Sequence, residues 1–317
     1  MRPVVIAHRG ASGYLPEHTL PAKALAHAQG ADYLEQDVVA TADDQLVVLH
    51  DIHLDRISDV NVQFPGRARD DGRFYVRDFT LQELRGLSVN HRRDEHGNPV
   101  YPGRSGALDE RLSIHTLAEE LEFIARINAA TGHRAGIYPE IKRPAWHRQQ
   151  GVDIAPQMLQ ILADFGYENG DDPVYVQCFD AAEIRRLREQ LGCRLKLVQL
   201  IGENSWRESS DDYDSLRTKR GLKSIARVAD AIGPWLQHTY KLTPKLKRPS
   251  STGLVEQAHG LGLAVHPYTL RLDDLPPGFA SAAKLLDFLL GKLNIDGIFS
   301  DFPDAVHDFI KNDQNTP

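Results

Sequence analysis

The 317-residue sequence predicts an α/β fold: a TIM (β/α)8 barrel with a small insertion subdomain at its C-terminal rim. Three observations predict it. Short β-type runs alternate with amphipathic helical runs along the chain, about eight such units. Repetition of this kind implies parallel strands joined by right-handed crossovers, and eight units close a barrel. Charged residues also stand where the strand-like runs end, beginning with VVIAHRG (4–10). An open doubly wound sheet is the competing fold, but no Gly-rich phosphate loop follows the first strand.

The candidate strands are 3–8, 33–39, 45–50, 136–142, 174–179, 195–201, 235–240, 263–269 and 296–302. Between them, apolar positions recur near i, i+3, i+4 and i+7 in 18–29, 116–132, 181–192, 221–232, 252–262 and 281–293, as amphipathic helices require. Asp180 and Ser281 occupy expected N-caps; Gly132, Gly192 and Gly262 occupy expected C-caps. Residues 52–112 break the rhythm. They are rich in Arg, Asp and Gly, with only 79–87 helical in pattern, and a loop this long in a compact fold is usually functional or a small subdomain. The expected organisation is therefore a barrel from 1–51 and 113–311, an inserted subdomain over 52–112, and a frayed tail over 312–317.

The composition narrows the function. A net charge of −7 with no dominant Lys/Arg block argues against nucleic-acid binding, so an anionic substrate needs a local positive site. No run of 18 apolar residues is present, so no membrane span is expected. Cys178 and Cys193 fit no zinc spacing and read as buried free thiols. The chain enters a strand at once with no secretory leader, which suggests the cytoplasm, or the periplasm if a leader has been removed.

Barrel enzymes keep their chemistry at strand C-termini. His8 and Arg9 leave the first strand there. Glu35 and Asp37 in YLEQDVV are two apart and share a face, as do Glu140 and Lys142 in IYPEIK. Buried carboxylates crowded this way repel one another unless a cation or several donors sit between them. Three of them form a hard-oxygen site suited to one divalent ion, Ca²⁺ or Mg²⁺, rather than zinc. QLVVLHD brings His50 to the same rim. Two imidazoles can act as general base and general acid, Arg supplies a planar fork for phosphate oxygens and Lys a point charge. That inventory fits phosphodiester cleavage.

The stretches AHRGASGYLPEHT (7–19), GADYLEQDV (30–38), LVVLHD (46–51), YPEIK (138–142), QCFD (177–180), VHPYT (265–269) and FSDFPD (299–304) resemble the glycerophosphodiester phosphodiesterase family, in its bacterial periplasmic-type branch. The resemblance implies a TIM barrel that hydrolyses deacylated phospholipids to sn-glycerol 3-phosphate and an alcohol. It implies His8 and His50 as the acid/base pair, Arg9 and Lys142 at the phosphate, and Glu35, Asp37 and Glu140 as ligands of a divalent metal, with Ca²⁺ preferred and Mg²⁺ second. Glu17 matches a carboxylate behind the site, and the insertion matches a small domain that shapes the glycerol side of the pocket. It also allows the glycerol's own neighbouring hydroxyl as the attacker, giving a cyclic phosphate that water opens. This chain has His18 where many members carry Asn, and HPYT where many carry Trp; Phe179 and Tyr268 are the candidates for the pocket's aromatic wall. Two readings compete: a phospholipase acting on intact lipids, and a non-enzymatic surface-binding protein on the same barrel. The first calls for an exposed apolar lip and the second for an N-terminal lipid-attachment Cys; neither feature stands out here.

Overall fold

The computed structural model describes residues 2–104, 111–243 and 248–314. In chain order the elements are β1 (Val4–Ala7), α1 (Leu20–Ala28), β2 (Tyr33–Ala40), β3 (Leu46–Val48), α2 (Val60–Gln63), α3 (Leu81–Arg85), α4 (Leu117–Thr131), β4 (Gly136–Ile141), α5 (Pro144–Gln149) and α6 (Ile154–Asp164). They continue with β5 (Tyr175–Cys178), α7 (Ala181–Glu189), β6 (Lys196–Ile201), α8 (Tyr213–Leu216), α9 (Lys219–Ile225), β7 (Ala231–Pro234), β8 (Tyr240–Leu242), β9 (Pro249–Ser251), α10 (Leu254–His259), β10 (Ala264–Val265), α11 (Ala282–Leu286), β11 (Gly297–Ser300) and α12 (Pro303–Gln314).

Eight of the strands form a parallel barrel in the order β10-β7-β6-β5-β4-β2-β1-β11. The seam between β11 and β10 is drawn together by hydrogen bonds from the Asp296 amide to the Val265 carbonyl and from the Leu270 amide to the Phe299 carbonyl. Helices wrap the outside over one large apolar core. Their ends are set by local chemistry: Thr116 and Glu119 form a capping box at the start of α4, and Gly132 ends it in the left-handed conformation. Asp180 and Ser281 cap their helices as expected.

The inward rows of the barrel change character from bottom to top. Low in the barrel Tyr33, Tyr138, Tyr175 and Phe299 gather; Tyr138 is fully buried and stacks on Tyr175 with ring centroids 5.0 Å apart. A fully buried ring such as Tyr138 or Phe299 contributes about 1.5–3 kcal/mol of burial. This plug is the floor of the site. Two residues further along each strand the same rows carry Glu35, Glu140, Gln177 and Asp301.

A second apolar cluster joins Leu54, Ile57, Val60, Phe74, Phe79 and Leu87 to Val39, Val47 and Leu49 of the β2–β3 hairpin. The segment after His50 therefore has a core of its own against that hairpin. Cys178 and Cys193 are buried free thiols. Among the described residues no helix is long and apolar enough to cross a membrane.

β3 lies outside the barrel order and pairs antiparallel with β2, Val38 opposite Val48, so His50 reaches the rim from a returning hairpin. Two expected spans differ from the structure. The seventh barrel strand is Ala231–Pro234, not 235–240, and the helix expected over 221–232 stops at Ile225. Ala-Ile-Gly-Pro scans as a helix end followed by a breaker, but Ala231 and Gly233 are small because they pack inward between β6 and β10. Residues 235–240 instead hold a short 3₁₀ turn before β8. Finally, α12 runs to Gln314, so the expected tail from 312 begins in helix; its residues 315–317, like 105–110 of the expected insertion, lie outside the described residues.

Candidate active site

A cavity of about 300 Å³ opens above the aromatic floor, lined among others by His8, Arg9, Glu35, His50, Glu140 and Gln177 on its polar side. Phe179, Trp206, Trp235 and Tyr268 form its aromatic side. β1 delivers the first two residues and then turns sharply. Arg9 has φ of 60° and Gly10 of 84°. A Cβ on Gly10 would meet the Ala22 backbone at 2.8 Å, so glycine is required both for the turn and for α1's close approach. The turn aims the Arg9 amide at Glu35, to whose Oε2 it donates at 2.6 Å.

Register brings the acidic residues together. Asp37 lies beside Glu140, and Glu140 beside Gln177, on successive parallel strands. Ligand oxygens of Glu35, Asp37 and Glu140 all lie within 4.8 Å of one another. All three side chains are buried. Burial and the charge of Asp37 push Glu35 up to about 8, and burial likewise raises Glu140 well above the carboxylate range. Burial would raise Asp37 too, but Lys142, His50 and His18 outweigh it and hold Asp37 ionised. Its Oδ2 is bound by His18 Nε2 at 2.7 Å, while its buried Oδ1 has no hydrogen-bond partner. Three buried hard oxygens with an orphaned lone pair fit a divalent cation, which would supply the counter-charge this group lacks.

Both histidines are held the same way. His8 Nδ1 pairs with Asp301 Oδ1 at 2.6 Å, and His50 Nδ1 with Asp51 Oδ1 at 2.5 Å. A carboxylate on Nδ1 selects the tautomer that leaves Nε2 unprotonated. Burial, then the charge of Arg9, lowers His8 to about 3; burial, Arg9 and Lys142 lower His50. Each Nε2 is thus free of its aspartate and open to proton exchange.

The remaining expected residues divide. Arg9 lies on the cavity wall with its guanidinium bound to Glu17 at 3.0 Å. Phe179 and Tyr268 form an edge-to-face pair on the wall, centroids 5.9 Å apart. Lys142 is off the wall, its ammonium 2.8 Å from Glu140 Oε1 and 5.5 Å from the Phe179 ring centre. Sequence reasoning passed over Asp301, Asp51, Gln177 and the two tryptophans. Asp301 follows β11 by one residue and Gln177 lies within β5, so the strand-end rule that found His8 could have found both. Trp206 ends a three-residue 3₁₀ turn and Trp235 directly follows β7, where no periodicity marks them.

The model of the Glycerophosphoryl diester phosphodiesterase family matches residues 8–305. The glycerophosphodiester phosphodiesterase of Haemophilus influenzae is 42% identical, covering 97% of this chain and 90% of that protein. The protein of the same description in Treponema pallidum is 36% identical, covering 95% and 90%. Among solved structures, an Oleispira antarctica phosphodiesterase in complex with the product sn-glycerol-3-phosphate superposes with a TM-score of 0.65 at 19% identity, covering 98% of this chain and 97% of that one. The glycerophosphodiester phosphodiesterase of Thermotoga maritima gives a TM-score of 0.59 at 18% identity, covering 97% and 98%. The structural likenesses show the barrel; the sequence likenesses carry the family.

Proposed function

The chain belongs to the glycerophosphoryl diester phosphodiesterase family, and from that premise we propose a mechanism for its glycerophosphodiester phosphodiesterase activity in which His8 and His50 move the protons. One observation carries the reading: two histidines, each oriented by an aspartate, line the same cavity as the carboxylates of Glu35 and Glu140. The substrates are glycerophosphodiesters, the deacylated phospholipids, and the products are sn-glycerol 3-phosphate and an alcohol. Membership in an enzyme family sets the purely binding role aside.

Glu35, Asp37 and Glu140 would hold one divalent cation, Ca²⁺ by preference and Mg²⁺ as second choice, which when bound offsets charge on the phosphoryl oxygens. Arg9, anchored by Glu17, presents its guanidinium to the phosphate. Lys142 adds positive charge through Glu140 without touching the cavity. Nε2 of one histidine takes the proton of the attacking hydroxyl, while the other, which enters the step protonated at Nε2, gives that proton to the leaving alcohol; attack of water on the cyclic phosphate then reverses both roles and restores the starting protonation. Phe179 and Tyr268 close the apolar side and limit water around the reacting phosphate. Residues 1–51 and 113–311 form the catalytic barrel in this reading, and 52–112 the inserted subdomain.

The test is release of glycerol 3-phosphate from glycerophosphocholine. His8→Ala and His50→Ala should each lower kcat on the order of 10²–10⁴-fold while calorimetry still detects Ca²⁺ binding. Near-normal turnover in either variant removes that histidine from the scheme. Turnover unchanged by a chelator would contradict the metal site.

A further inference from the structure

The segment between residues 52 and 112 sends two arginines to the barrel mouth, and each ends on a different histidine's aspartate. Arg92 Nη1 lies 2.5 Å from Asp51 Oδ2, the oxygen not used by His50. Arg104 Nη2 lies 2.6 Å from Asp301 Oδ2, the oxygen not used by His8. Both guanidiniums are well shielded from solvent, at 12% and 7% side-chain exposure.

We propose that Arg92 and Arg104 are positioning residues through which the inserted segment sets the orientation and proton affinity of the two histidines. The inference rests on the acid/base reading above.

The physical ground is the geometry of a carboxylate. Each aspartate gives one oxygen to an imidazole and the other to a guanidinium, so it cannot rotate without breaking a charge-assisted bond. Residues that hold the partner of a working histidine fix its ring and tautomer. Each arginine is itself held. Arg104 stacks over Tyr101 at 3.7 Å and pairs with Asp273 at 2.9 Å. Arg92 also grips Glu17 at 2.6 Å, the carboxylate that anchors Arg9. The two arms are unequal: Arg271 of the barrel also binds Asp301 Oδ2 at 2.9 Å, whereas Arg92 is the one arginine bound to Asp51 among the described residues. Burial would raise both aspartates, yet the arginines and histidines around them hold both well below the usual carboxylate range.

The experiment is a pair of double-mutant cycles on glycerophosphocholine turnover. Arg92→Met should cost roughly 10- to 100-fold in kcat, with Arg92→Lys recovering part. Arg104→Met should cost less, because Arg271 remains. Asp51→Asn should absorb the kcat loss of Arg92→Met, and Asp301→Asn that of Arg104→Met, since each arginine acts through its aspartate. Any KM rise in Arg92→Met that survives Asp51→Asn reports the Glu17–Arg9 arm. Removing a cation beside each aspartate should also move one limb of the kcat pH profile upward, a different limb for each variant. Independently of turnover, ¹⁵N-histidine spectra should show the Nδ1–H tautomer of His50 weakened in Arg92→Met with His8 intact, and the converse in Arg104→Met. Arg69→Met, on a pair in the same segment that faces Asp78, should leave kcat unchanged. Additive losses in both cycles with unaltered tautomers would overturn the inference while leaving the phosphodiesterase reading intact. An inactive wild-type chain would sink both.

Discussion

A single buried carboxylate and a buried trio flank β2, and they settle the cost of burial in opposite ways. Outward from the strand, Glu120 is reached by Lys23 at 2.7 Å, by Gln36 at 2.9 Å and by His115 at 2.6 Å. Burial would raise it, but Lys23 and His115 bring it down to about 2. Inward, Glu35, Asp37 and Glu140 crowd together, with one oxygen of Asp37 unpartnered and two of the carboxyls driven upward. Both groups are desolvated to the same degree, so burial does not separate them. What separates them is charge balance. The outer carboxylate is complete within the fold and serves stability, whereas the inner trio keeps an unpartnered oxygen, as the proposed cation site would.

The contrast breaks first at Asp37. Asp37→Asn should abolish calorimetric Ca²⁺ binding and lower kcat/KM on the order of 10³-fold or more, the scale of several kcal/mol of charge stabilisation; because Lys142, His50 and His18 hold Asp37 ionised, the melt in chelator should fall as well. If turnover survived, the inner trio would be as structural as Glu120.

Glu120→Ala should affect stability alone. Leaving Lys23 buried and unpaired should lower unfolding free energy by about 3–5 kcal/mol in urea melts, with kcat per folded molecule nearly unchanged. A full loss of kcat with an unshifted melt would place Glu120 in the chemistry instead.

Acidity sharpens the difference further, because the two groups carry opposite signs. The lowered pKa of Glu120 contributes stability that is full above its unfolded value near 4.5 and is lost as pH falls toward about 2. That loss amounts to about 3 kcal/mol, since each tenfold change in proton affinity is worth about 1.4 kcal/mol. The raised Glu35 contributes stability present below about 4.5 and lost as pH rises toward about 8. Melting temperature in chelator should therefore fall over that upper range, and Ca²⁺ should restore it by a margin that widens with pH. A constant margin would argue against a cation bound at the trio.

Much of this site was legible in the residues. The period of two puts Glu35 and Asp37 on one face in YLEQDVV, and Glu140 and Lys142 on one face in IYPEIK, whatever the strands pair with, and His8-Arg9 after a buried run marks a strand end. Other parts were not. Ala231–Pro234 reads as a helix end because small inward residues and a breaker look alike in sequence. The direction of β3 is invisible because alternation has no polarity. Trp206 and Trp235 join the cavity from a short 3₁₀ turn and from the residue after β7, too short for any repeat to mark.

The amino-acid order by itself determined the alternation of strands and helices, the facing of the acidic pairs and the ends where chemistry collects, because these depend on separations of two to four residues that local geometry sets. Closure of the barrel decided the rest. It alone brings Asp301 to His8 across 293 residues of chain, and packing against the barrel alone brings Arg92 and Arg104 to the two aspartates. Such contacts are chosen by how distant elements pack, and no short-range pattern carries that information.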